Sequence, residues 1–487
     1  MKYVHAVAPV FLLMALGPLE AADPPAAMFG GTPSRNMVST EKSAPVSWDV
    51  TTGENIKWRA KLGSQTYAGP VVYDGQVYVG TNNEGQLREG IVGDKGVVMA
   101  FDAETGEFLW QATHDKLPAG RINDWPLQGI CSTPHVEGDR VYYVSNRAEV
   151  VAVDTQGFSN GNQGIQNEIY TGPQDADIIW SFDLIGELDA FPHNLAAGSP
   201  LVVGDLVYVT TGHGVDEGHV NIPSPLGPSF VAIHKDTGEI VWESSLPGEN
   251  VLHGTWGNAA FGVAGGRAQI VFPGGDGILY SFDPESKPAA DADPDDINYG
   301  KVIWQFDLNP EGSVWELGGS GTKNNIISTP VFLDGIVYIG VGQDPEHGEG
   351  PGHFWAIDAS MEGDVTGKAG LWHFGDDDFN RTISTAAISN GRLYIPDLSG
   401  FLYALDLKTG KHLWTHDTFA AVWGSAMVVA GRIYLGDEDG DVVILEEGSG
   451  ERVITELNMG SALYTTPTVV DGVMYIATRS ELFAISE

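Results

Sequence analysis

Residues 100–110 read AFDAETGEFLW, and the same spacing returns as AIHKDTGEIVW at 232–242 and as ALDLKTGKHLW at 404–414. In each copy a short apolar run leads into a polar turn that closes on Thr-Gly, and a second run carries a tryptophan. Two short runs joined by a glycine turn are the pattern of an antiparallel hairpin. Looser copies place Trp180, Trp304 and Trp372 equivalently. One indole at a fixed position of each copy suits packing between neighbouring sheets, where its large apolar area leaves water.

Ahead of each copy stands a second hairpin. It recurs eight times: AGPVVYDGQVYVG, STPHVEGDRVYYV, GSPLVVGDLVYVT, AFGVAGGRAQIVF, STPVFLDGIVYIG, STAAISNGRLYIP, GSAMVVAGRIYLG and TTPTVVDGVMYIA. Its links, such as YDG, LDG, SNG and VDG, hold residues that accept the positive φ of tight turns. Two hairpins per repeat make a four-stranded antiparallel sheet, so the fold class is all-β and the architecture an eight-bladed β-propeller. The last repeat stops at ELFAISE without its outermost strand, while TTGENIKWRAKL, with Trp58, is an outer strand with no inner strands before it. The two ends are therefore expected to complete one blade, which removes open sheet edges. The expected organisation is a signal peptide at 1–21, a lead-in segment at 22–47 and a single propeller domain at 48–487.

The chain opens on Lys2, the apolar run AVAPVFLLMAL and small residues up to Ala22, which read as a secretory leader. Export to the periplasm or the medium is expected, and no later apolar run is long enough for a transmembrane helix. The formal net charge of −40 repels nucleic acid and anionic lipid and favours cations. Cys131 is the only cysteine, which excludes a C-x-x-C-H haem site, a thiolate zinc cluster, an internal disulfide and a lipidated cysteine near the leader. At the start of an inner strand it reads as a buried structural thiol.

The A-x-D-x-x-T-G-x-x-x-W repeat resembles the tryptophan-docking repeat of the pyrroloquinoline quinone (PQQ) family of propellers, which includes quinoprotein alcohol dehydrogenases and the outer-membrane assembly scaffold BamB. The resemblance implies a propeller, with PQQ and a divalent metal such as calcium as the cofactors to look for and with neither haem nor NAD. In the dehydrogenases a T-G-N supplies a calcium-ligating asparagine; here TGH puts His213 there. The next inter-blade loop, which carries their catalytic aspartate, offers Glu249, Asn250 and His253. The adjacent cysteine pair of those enzymes is impossible with one cysteine.

Loop length divides the two faces of the ring. Links between strands one and two, and three and four, are mostly hairpin-sized. Links between strands two and three, and from blade to blade, are long and gather most histidines together with Trp125, Trp256, Trp315 and Trp423. Long loops on a rigid scaffold are where binding and catalysis usually reside. His213, Asp216, Glu217 and His219 of blade three, with Asp344, His347, Glu349 and His353 of blade five, are candidate ligands for a divalent metal. Arg121, Asp124, Trp125, Lys323, Asn324 and Arg381, with Trp256 and Trp423, are candidates to pair with and stack on an anionic planar ligand such as PQQ. Asp291, Asp293 and Asp295 read as a solvated acidic loop.

Two functions remain open at this point. The first is an exported propeller that binds a small molecule on the loop-rich face and, if catalytic, performs a PQQ-dependent oxidation with His253 or Glu249 as base. The second is a non-catalytic scaffold, BamB-like, presenting that face to another envelope protein through Trp125 and Trp423.

Overall fold

The computed structural model of the chain describes residues 26–287, 300–316, 321–343 and 350–487. The leader and Asp291, Asp293, Asp295, Asp344, His347 and Glu349 lie outside the described residues. Eight antiparallel sheets follow one another around an axis. Blade 1 runs from Val71–Tyr73 to Phe108–Asp115, blade 2 from His135–Glu137 to Ile178–Asp183, and blade 3 from Leu201–Val203 to Ile240–Ser244. Blade 4 ends in Val302–Asp307, blade 5 in Gly370–Asn380, blade 6 in His412–Asp417 and blade 7 in Val453–Asn458. Blade 8 takes its outermost strand from the other end of the chain: Ile56–Lys61 pairs antiparallel with Glu481–Ile485, with Trp58 opposite Ala484. Blade 4 gains one strand that its repeat does not announce, Gly363–Asp364, laid parallel to Val302–Asp307.

The repeat residues do one job each. Asp102 accepts the amide and the hydroxyl of Thr105 at 2.8 Å, and Asp406 does the same for Thr409, so the polar turn closes on itself. Gly106, Gly238 and Gly410 then take positive φ, and a Cβ on any of them would strike the indole of Trp58, Trp180 or Trp372 of the preceding blade. Those indoles donate to backbone carbonyls of the same turns at 2.8–3.0 Å. Each tryptophan thus docks on the next blade's glycine. Blade 7 has no tryptophan in its outer strand; Trp48, ahead of the first outer strand, packs beside Tyr434 and Met459 instead.

A second ring of contacts circles the axis where the inner strands begin. Gly69 donates its amide to Thr133 Oγ1, Thr133 to Ser199 Oγ, Ser199 to Asn258 Oδ1 and Asn258 to Thr329 Oγ1, at 2.6–3.1 Å. The same pattern links Thr385, Ser425 and Thr466. This explains the Ser-Thr-Pro of the inner hairpins: in each of these six links a Ser or Thr hydroxyl, or the Asn258 side-chain oxygen, satisfies an amide of the blade before it.

Residues 26–39 close one end of the axis. The inner strands are sheet edges with unpaired amides, and the second residue of six of them donates to this segment: Val72 to Ala26, Val136 to Ala27, Phe261 to Pro33, Phe332 to Ser34, Ile388 to Asn36 and Val428 to Met37. Arg35, fully buried, spends its guanidinium on the carbonyls of Phe29, Ala259, Pro200 and Ser199. Burial pulls it down to about 9, which leaves it charged at neutral pH.

Candidate functional site

Opposite that floor the axis opens among the long loops as a cavity of about 440 Å³. Met28, Phe29 and Met37 form its base, and the residues just ahead of each inner strand form its wall. Tyr67, Tyr464 and Trp423 make a cluster on one side, the two tyrosine rings stacked 4.8 Å apart and Trp423 set edge-on to Tyr464 at 5.4 Å. Across the mouth stand Trp125 and Trp256. Burial pushes the Tyr67 hydroxyl well above its ordinary value, so it stays a neutral donor. Among the described residues the wall holds no Lys, Arg, Asp, Glu or His. Cys131 lies here half-buried, in irregular chain ahead of its strand and not within it, and burial pushes its thiol up to about 12.

Of the residues expected to hold a planar anion, Trp125, Trp256 and Trp423 line this cavity. The cationic and amide candidates do not. Arg121 lies over the Trp125 ring at 4.2 Å and pairs with Glu217 at 3.1 Å. Asp124 is buried against Lys116, the Leu117 amide and Asn146. Arg381 and Asn324 are buried together, Arg381 Nε donating to Asn324 Oδ1 at 2.8 Å and Nη2 to the Gly321 carbonyl. Lys323 offers its carbonyl to Gln343 and sits off the wall. These groups fix loops in place.

The expected metal residues are also redistributed. His213 is buried between the Ser224 carbonyl and the Ser229 hydroxyl, and burial lowers its pKa. Asp216 accepts the amides of Val220 and Asn221 and so shapes a turn, its own pKa lowered by those bonds. Glu217 goes to Arg121. His353 contacts His373 at 3.1 Å within blade 5. Glu249 is exposed on the short turn Gly248–Asn250.

His219, an expected ligand from blade three, meets His253, an expected base, and a third imidazole joins them; no described blade-five candidate takes part. The ligand nitrogens of His193, His219 and His253 all lie within 4.8 Å of one another. His193 comes from the link between blades 2 and 3, in FPHN, where no neighbouring carboxylate marked it out. His253 packs edge-on against Trp256 with ring centres 4.9 Å apart, so the three imidazoles stand directly behind the cavity wall.

A family model described as outer membrane protein assembly factor BamB matches residues 20–157 and 291–487. The chain is 23% identical to the BamB of Moranella endobia over 84% of its own length and 88% of that protein. It is 22% identical to the quinoprotein alcohol dehydrogenase PedH of Pseudomonas putida, over 93% of its length and 68% of that protein. Among solved structures, the quinohemoprotein alcohol dehydrogenase ADHIIG of Pseudomonas putida aligns with a TM-score of 0.59 at 14% identity, covering 96% of this chain and 81% of that one, a likeness of fold.

Proposed function

The chain belongs to the BamB-type family of PQQ-repeat propellers, and from that premise we propose that it is an exported envelope protein that holds a small uncharged ligand in its axial cavity. The observation that carries this is the wall itself: five aromatic rings around about 440 Å³ with no charged side chain among the described residues. Apolar cavities with a few polar groups are the usual form of small-molecule sites. The Ser, Thr and Asn side chains at the base of the wall supply directional hydrogen bonds, and the rings supply stacking area.

PQQ does not fit this wall. A planar tricarboxylate needs cations against its carboxylates, and the nearby cations are committed elsewhere: Arg121 to Glu217, and Arg381 to Asn324 and Gly321.

Titration with N-phenyl-1-naphthylamine, an uncharged aromatic fluorophore, tests the reading. Saturable binding at one site is expected, weakened about tenfold in Trp423→Ala by loss of stacking area and unchanged in Glu249→Ala. Absence of saturable binding, or heat released on titrating PQQ with calcium, would sink it.

A second reading has its own observation. Ile122, Val220, Leu226, Val314 and Phe419 are exposed on the loop-rich face, Phe419 at 89% and Leu226 at 84%. Such side chains suit docking of another protein, as the name of the BamB relatives implies for them. They replace Trp125 and Trp423, which are half-buried on the cavity wall, as the anchors of that reading. A photo-crosslinker at position 419 that captures an outer-membrane assembly subunit in cells would support it; labelling of no envelope protein would count against it.

A further inference from the structure

We propose that His193, His219 and His253 form a binding site for a first-row divalent transition metal, with zinc the foremost occupant. The inference is independent of what fills the axial cavity. Three observations carry it. The first is convergence: three imidazole nitrogen donors from three separate loops lie within 4.8 Å of one another. A zinc ion with Zn–N bonds of about 2.0–2.1 Å holds two tetrahedral ligands about 3.4 Å apart, and His193 Nε2 and His219 Nε2 are already 3.1 Å apart. Side-chain rotation closes the remainder.

The second is the state of His193. Its Nδ1 lies 2.6 Å from the Val215 carbonyl. A carbonyl only accepts, so Nδ1 carries the proton and the Nε2 lone pair faces the other two rings. This is the outer hydrogen bond that fixes tautomer and ring direction in metal-bound histidines. The third is how His219 is held. It takes φ +53°, unusual for a residue with a side chain, and the turn that imposes this is pinned on one side by Asp216, through the Val220 and Asn221 amides, and on the other by the Glu217–Arg121 pair over Trp125. Asp216 and Glu217, which sequence suggested as ligands, are the props that aim an imidazole.

Three imidazoles choose the metal. Nitrogen donors favour zinc, cobalt, nickel and copper, whereas calcium requires oxygen ligands. His219 is half-buried while His193 and His253 are buried, so a bound ion is reached from the side of His219 and keeps a position for water or another ligand there.

The test uses the full chain, stripped with dipicolinate and then incubated with zinc alone and with cobalt alone. One zinc per chain is expected after desalting, and cobalt should give the strong visible bands of a four-coordinate nitrogen site. His219→Gln and His253→Gln should lower zinc affinity by more than the roughly 10–100-fold that loss of an outer-shell partner costs. His353→Gln, at the other close imidazole pair, should leave it unchanged. X-ray absorption on the unmodified zinc protein reads the ligands without any variant, and a first shell of imidazole nitrogens is expected. Zinc retention indifferent to both triad variants, a shell of oxygen alone, or failure to hold either zinc or cobalt would overturn the proposal and leave a hydrogen-bonded histidine cluster.

Discussion

At one end of the axial cavity residues 26–39 accept hydrogen bonds from six blades and seat Arg35 among four carbonyls; at the other, half-buried aromatics surround an open mouth, with three imidazoles behind Trp256. Both ends are irregular chain on the same strands. They differ in what their polar groups are for. At the floor each group answers another within the protein, and at the mouth the rings face the cavity.

If the floor is structural and the mouth functional, variants should separate stability from binding. The largest effect belongs to Arg35→Met, which leaves several buried carbonyls without a donor. A loss of about 3 kcal/mol is expected in urea unfolding, with fluorophore binding intact in whatever fraction remains folded; equal stability would mean that the floor does not hold the blades.

The next effect is pH-dependent and lies at the mouth, beside the His253 loop. Burial raises Asp276 from 3.8 to about 6, against the opposing bonds from the Tyr280 hydroxyl and the Ile278 amide. The native state therefore binds this proton more tightly than the unfolded chain does. Its stabilising effect is complete below about pH 4 and lost as pH rises through about 6, a change of roughly 2–3 kcal/mol at most. Unfolding midpoints should fall between pH 5 and pH 7.5, and Asp276→Asn should flatten that fall.

Trp423→Ala sharpens the contrast from the other side. Binding weakens about tenfold, equivalent to about 1.4 kcal/mol, and the zinc site, behind Trp256 across the cavity, keeps its affinity. The smallest effect is that of Asn36→Ala, which breaks the paired bonds to the Ile388 amide and carbonyl. About 1 kcal/mol of stability should go, with no change in either ligand. Loss of binding in this variant would show that floor and mouth are coupled.

The blades were legible because every unit repeats the same physical demand. The Thr-Gly turn and the indole that docks on it recur at fixed spacing, and the complementary chain ends announced how the ring closes. Blade 7 was legible from its inner hairpin GSAMVVAGRIYLG but has no outer-strand tryptophan; that Trp48 would fill the place depends on the path of the chain ahead of the first outer strand, which has no period. The mouth was legible as a face but poorly as a site. In irregular loops no periodicity says which side chain points inward, so Asp124, Asn324 and Arg381 read as ligand groups when they are buried props. His193 was invisible for a related reason. The triad is assembled by the curvature of the ring from residues 26 and 34 positions apart in the chain, and no local spacing encodes that.

The hydrogen bonds of residues 26–39 also impose an order of events. Their partners run from Val72 to Val428, so a stretch that precedes every blade in the chain cannot be housed until seven blades exist. Ile56–Lys61 likewise waits for Glu481–Ile485, the final strand. Assembly is thus completed by segments that precede the blades, and until then a row of inner-strand amides and the apolar stripe of Met28, Phe29 and Met37 lack their native partners.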